Sequence, residues 1–164
     1  MQEAIMIFKN HPKRKKDQIC YYKIRHYKYR ITHDYEIKIR LKPPKKLKVD
    51  ENFIIFEKDG TLKIKQRYAW DGPSGPTIDT PNFMRGSLIH DALYQLLREG
   101  DLEKKFRKKF RKDADQILKE ICLIDGMSSF RAKYVYWGVR IFGIFTIKAE
   151  SDSEQITNTF SFSG

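Results

Sequence analysis

The hydrophobic period of this chain changes once, across the turn-rich run Trp70-Asp71-Gly72-Pro73-Ser74-Gly75-Pro76. Apolar residues alternate before it and recur every three or four positions after Thr80-Pro81. A period of two belongs to strands and one near 3.6 to helices, so a single switch implies strands followed by helices, an α+β fold. Tyr35, Ile37, Ile39 and Leu41 alternate with Glu36, Lys38 and Arg40, marking a strand with one charged, wet face. An earlier stretch, Ile19 to Ile31, is rich in tyrosine and isoleucine and reads as its partner, with Thr32-His33-Asp34 turning a hairpin between them. Pro43-Pro44 ends the second strand, because proline has no N–H for the ladder. Phe53 to Phe56 and Leu62 to Ile64 read as a second hairpin around Asp59-Gly60, whose turn requires a positive φ. A last extended stretch carries Tyr68 and Trp70 into the loop.

Thr80 suits an N-cap and Pro81 the first helical position, so a first helix runs to about Arg98 and stops at Gly100. A second starts near Asp101, with Leu102, Phe106, Phe110, Ala114, Ile117, Leu118 and Ile121 as its apolar stripe and Gly126 as its stop. Ser128 or Ser129 caps a third, through Tyr134, Val135, Val139 and Phe142 to Gly143. The expected arrangement is one domain over residues 1–149, mainly β over 18–70 and mainly helical over 80–143. In it, antiparallel hairpins pack on a bundle of about three helices. The polar tail, 150–164, is expected to be loosely ordered.

The formal charge of +12 points to acidic company: nucleic acid, a phosphorylated small molecule, an anionic envelope polymer or an acidic protein. Cys20 and Cys122 lie far apart in unlike contexts, which excludes a disulfide framework and a zinc knuckle and suits a reducing cytoplasm. The start, Met1 to Phe8, is too short for a signal-peptide core. The most apolar run, Tyr134 to Ile147, carries Arg140 and falls short of the roughly twenty residues of a membrane span, so it reads as a buried helix in a soluble protein.

Chemistry concentrates around the loop and the first helix. His90, Tyr94 and Leu97 share one helix face, with Asp91 turned about 100° from it. A loop held to a fixed path by Gly72, Gly75 and the prolines can bring Asp71 or Asp79 towards His90-Asp91. Asp115 lies one step off the second helix's stripe, where an acid can face back across the groove between helices. His90, Asp91, Asp79 and Asp115 are therefore the candidate acid–base residues. Asp71, Ser74, Arg85 and Tyr94 are candidates for holding substrate. Carboxylate and imidazole ligands drawn from His90, Asp91 and Asp115 would suit a divalent metal such as zinc, manganese or iron, with water completing the shell. The architectural alternative is that His90 bonds a carbonyl or an aspartate inside the core, and that Asp91 pairs with Arg85 or with lysines of the second helix. Meeting unpaired in an open cleft would favour chemistry, and burial with each group paired off would favour architecture.

Two basic surfaces admit nucleic acid. Lys104, Lys105, Arg107, Lys108, Lys109, Arg111 and Lys112 cover the wet face of the second helix, either as a solvated face or as a phosphate-tracking one. Tyr21, Tyr22, Tyr27 and Tyr29 interleave with Lys23, Arg25, Lys28 and Arg30, as in single-strand binding surfaces and also in any half-buried strand with a basic exterior. Trp70 reads as a packed lid on the helices rather than a stacking platform. No Gly-x-Ser-x-Gly, P-loop or dinucleotide fingerprint occurs, and Cys122 sits in a helix stripe as a core residue.

The stretch Tyr68 to Pro76, with Asp79, Arg85 and Leu88-Ile89-His90-Asp91-Ala92-Leu93-Tyr94, resembles a family of small proteins of unknown function frequent in tailed phages and prophages. The likeness continues through Ala114-Asp115 and Gly126 to Gly143, over roughly residues 60–145. It implies shared polar positions at Asp71, Ser74, Asp79, His90, Asp91 and Asp115, and no established reaction. A likeness to His-Asp phosphohydrolases fails, because those are all-helical with histidines on several helices, whereas His11, His26 and His33 lie in the β region. The expectation is a phage-encoded, hydrolase-like protein of the host cytoplasm. Its anionic substrate would be a nucleotide, a phosphoester or a cell-envelope polymer. The alternatives are a non-enzymatic phage protein, as a virion component or a binder of a host factor, and a basic nucleic-acid-binding accessory protein.

Overall fold

The computed structural model describes residues 19–24, 29–49, 53–72 and 80–141. Its order is strands, then helices, as the change of period requires. β1 (Tyr21–Lys23), β2 (Tyr29–Ile31) and β7 (Ala69–Trp70) form one antiparallel sheet, in the order β1-β2-β7. β3 (Tyr35–Lys38), β4 (Leu47–Val49), β5 (Ile54–Phe56) and β6 (Thr61–Ile64) form a second, in the order β3-β6-β5-β4 and again antiparallel. The helices are α1 (Pro81–Glu99), α2 (Lys104–Ile124) and α3, whose described part covers residues 129–141.

The hairpin at Asp59-Gly60 forms as expected. Gly60 takes φ 92°, and Asp59 accepts hydrogen bonds from the Thr61 N–H and hydroxyl, both at 3.0 Å. The expected hairpin at Thr32-His33-Asp34 does not form. The Ile19 to Ile31 stretch is not one strand but two, paired with each other (Tyr21 opposite Ile31), and β3 belongs to the other sheet. Residues 32–34 are instead a corner between sheets, fixed by Asp34, which accepts from Gln66 N–H and Lys65 Nζ at 2.8 Å each. Beyond Pro43-Pro44, β4 pairs with β5, a strand that the pattern of Leu47, Lys48 and Val49 was too short to announce.

α1 begins at Thr80-Pro81 and ends before Gly100, as its punctuation predicts. Its mid-section crosses α2 closely at Gly86, where a Cβ would lie 2.9 Å from Cys122 Sγ and 3.0 Å from Leu118 Cδ1. α2 starts three residues later than Asp101, yet Leu102 is buried and Phe110, Ala114, Ile117, Leu118 and Ile121 form the expected stripe. One core joins both sheets to these helices, with Ile54, Phe56, Leu62, Ile64, Leu88, Ile89, Leu93 and Leu96 fully buried. A smaller cluster of Phe83, Leu118, Cys122, Met127, Ala132 and Val135 seats α3. The reading of α3 as buried throughout is corrected: Tyr134 is 51% exposed and the helix keeps an apolar face outside. The rest of that run, Phe142 to Ile147, and the 150–164 tail lie outside the described residues.

Trp70 is packed, not presented. Its Nε1 donates to Ser87 Oγ at 3.1 Å, and its ring lies 5.8 Å from Tyr21 and 5.5 Å from Tyr29. The same contacts take Tyr21 and Tyr29 out of any base-stacking surface, while Tyr27 lies outside the described residues.

Candidate functional site

The middle of α1 carries His90 and Tyr94 one helical turn apart, and their rings stack at 4.2 Å with 35° between planes. Both reach one oxygen of Asp115 on α2: His90 Nε2 at 2.9 Å and the Tyr94 hydroxyl at 2.6 Å. Arg140 of α3 donates from Nη1 to the other oxygen at 3.0 Å. Asp115 is fully buried, so three charge-assisted or phenolic donors replace the water it has lost. One carboxylate thereby joins three helices.

On its other side the imidazole meets Asp91, with Nδ1 3.7 Å from Oδ1, an ion-pair distance too long for a hydrogen bond. The Asp91 side chain is 27% exposed, against 10% for His90 and none for Asp115. The array therefore runs from a sealed end to an open one.

Burial alone would pull the His90 pKa down, but the hydrogen bond to Asp115 and the negative charges of Asp91 and Asp115 outweigh it and hold the imidazole above its ordinary value. Burial alone would raise Asp115, yet its bonds to His90, Tyr94 and Arg140 keep it below the usual carboxylate value. An ionised carboxylate only accepts, so His90 Nε2 is the donor to it. Asp91 is pushed up, by burial first and then by the negative charge of exposed Asp71, with His90 and Arg98 opposing. The Tyr94 phenol is raised by burial and by Asp115, and stays protonated.

The other expected residues fall as follows. Asp71 is exposed and within charge reach of Asp91. Asp79 and Ser74 lie in the 73–79 stretch, outside the described residues. Arg85 does not pair with Asp91 and is not free for substrate. It makes a two-pronged bond to Asp125, Nη2 to Oδ1 at 2.6 Å and Nε to Oδ2 at 3.0 Å, clasping the start of α1 to the end of α2. The metal site expected at His90, Asp91 and Asp115 is not assembled. The two ring nitrogens face different carboxylates on opposite sides, so the three donors share no common point, and no group of three or more such ligands occurs among the described residues. No step is therefore routed through a metal.

Arg140 is the residue that sequence reasoning missed. It stood out only as a charge within an apolar run, and that was the available signal: a cation on a core-packed helix needs a buried acid. Among the basic residues of α2, Lys104, Lys105, Lys108, Lys109 and Lys112 are exposed, whereas Arg111 is buried and Arg107 Nε donates to Leu102 O at 3.2 Å. Comparisons with protein-family models, with curated proteins and with solved structures find no match.

Proposed function

We propose that this protein is a phage-encoded hydrolase in which Asp91 is the working acid–base group and His90 its positioned partner. The observation that carries this reading is the gradient along Asp115–His90–Asp91, sealed and fully bonded at one end and partly exposed at the other. By the criterion of burial and pairing, Asp115, Tyr94 and Arg140 are architecture, and only the Asp91 end is available for chemistry. Asp91 takes a proton from an attacking water as the hydroxide adds to the scissile carbon. It then gives that proton to the leaving group, so one water is consumed and the carboxylate is restored. His90, 3.7 Å away and holding its second proton more firmly than a free imidazole, steadies the ionised form.

The substrate class follows from local charge. Asp71 and Asp91 act on one another, and that acidic rim repels a phosphoester. An uncharged amide linkage in an anionic envelope polymer fits better, the +12 chain drawing the polymer while the rim meets a neutral bond. The test is release of new amino ends from purified cell-wall sacculi, with a phosphodiester as the comparison. Asp91→Asn should lose about a hundredfold or more in rate while keeping its folded spectrum. Equal activity in the variant, or none in the parent, would sink the reading.

A non-enzymatic binder of an anionic partner is the second reading, favoured by the exposed lysines along α2. It requires capture of a polyanion that weakens steeply with salt and is indifferent to Asp91→Asn.

A further inference from the structure

α3 has two apolar faces. Ala132 and Val135 pack inward, with Val139 partly buried beside them. On the opposite side Phe130, Tyr134, Trp137 and Ile141, spaced by four, three and four residues, form a straight stripe that is 84%, 51%, 62% and 52% exposed. Ile124, at the end of α2, adds a side chain that is 74% exposed. With each aromatic carrying about 150–250 Å², the stripe reaches the several hundred Å² at which an exposed apolar patch marks a contact surface.

We propose that this face of α3 seats on the surface of a bilayer bearing anionic lipid. Two observations select that occupant. Tryptophan and tyrosine have an apolar body and a polar tip, which suits the level of lipid headgroups. Lys133 is exposed beside the stripe, and α3 carries no acid over residues 129–141, so its outer face complements a negative surface. A second copy fits less well, because a two-fold contact across the stripe would set Lys133 and Arg131 against their own counterparts. Among the described residues no helix is long and apolar enough to cross a membrane, so the contact lies on the bilayer rather than through it. The proposal is independent of the Asp91 chemistry.

The test is co-sedimentation of the full chain with vesicles of phosphatidylcholine alone and of an equal mixture of phosphatidylcholine and phosphatidylglycerol, read together with tryptophan emission. Trp70 is buried and bonded to Ser87, so a blue shift reports Trp137. Binding to the mixed vesicles should exceed binding to neutral ones by about tenfold or more and fall with salt. Phe130→Ser with Trp137→Ser, both at exposed positions, should reduce it by about tenfold or more, and Lys133→Glu by several-fold. Three results would overturn the proposal: no sedimentation with mixed vesicles, equal sedimentation of the doubly substituted chain, or a concentration-dependent dimer that hides Trp137 and is dissolved by the same substitutions.

Discussion

Arg140 reaches from α3 to Asp115 on α2, with 3.0 Å between Nη1 and Oδ2, and so holds the carboxylate oxygen opposite the one that His90 and Tyr94 share. Removing it leaves a fully buried carboxylate short of one donor. Arg140→Met should therefore lower unfolding stability by about 2 kcal/mol, towards the modest end because the arginine is 21% exposed. Chemical denaturation measures this directly, and an unchanged midpoint would mean that solvent serves Asp115 as well as the arginine does.

His90 makes stability depend on pH on the alkaline side. Its folded pKa lies above the ordinary 6.5, so its contribution is full below 6.5 and is lost as pH rises through the raised folded value. Asp115 acts in the opposite direction: its contribution is present above 3.8 and lost as pH falls through its lowered folded value. Asp91, raised in the fold, favours the folded state while protonated, an advantage that fades as pH climbs past 3.8 and through its raised folded value. The thermal midpoint should decline above neutrality, and His90→Gln should flatten that alkaline limb. A nuclear magnetic resonance titration placing the His90 midpoint at or below 6.5 would contradict the assignment.

The clasp between Arg85 and Asp125 is two-pronged and largely dry, with side-chain exposures of 8% and 20%. Breaking it from one side strands a buried charge, so Arg85→Ala should cost about 3 kcal/mol. Arg85→Lys should recover only part of this, since an ammonium cannot span both oxygens. In a double-mutant cycle, removing both partners should cost less than the sum of the single changes.

The two cysteines should react unequally. Cys20 is exposed, whereas burial pushes the Cys122 thiol up to about 12. Mass spectrometry after iodoacetamide treatment at mildly alkaline pH should find Cys20 alkylated and Cys122 intact until denaturant is added. Equal labelling in the native state would show that the α1–α2–α3 cluster opens readily.

The legible parts of this fold were those written in local chemistry. The Asp59-Gly60 turn, the Thr80-Pro81 helix start and the α2 stripe each depend on near neighbours, and the α+β order follows from the one change of period. The corner at residues 32–34 was misread because a polar tripeptide between two short strands looks alike whether the chain returns to the same sheet or leaves for another. Only Asp34's bonds to Lys65 and Gln66, thirty residues away, decide between them. At the site, His90 and Tyr94 fell on one face by spacing, and Asp115 was placed to meet them across the groove. Arg140 could not be read as their partner, because its neighbours are apolar and its acid lies on another helix. The metal reading failed on direction: helical spacing fixes which face a side chain leaves from, and not which way an imidazole's two nitrogens end up looking.

The meeting of three helices on one carboxylate also restricts how this chain can change over generations. Asp115 serves His90, Tyr94 and Arg140 at once, so its loss strands all three, while the loss of any one donor leaves the carboxylate less satisfied. A wholly apolar replacement of similar volume could be tolerated, but it demands several substitutions at once. Single steps at this spot each cost stability, so sequence variants of the chain should keep the quartet or lose it as a set.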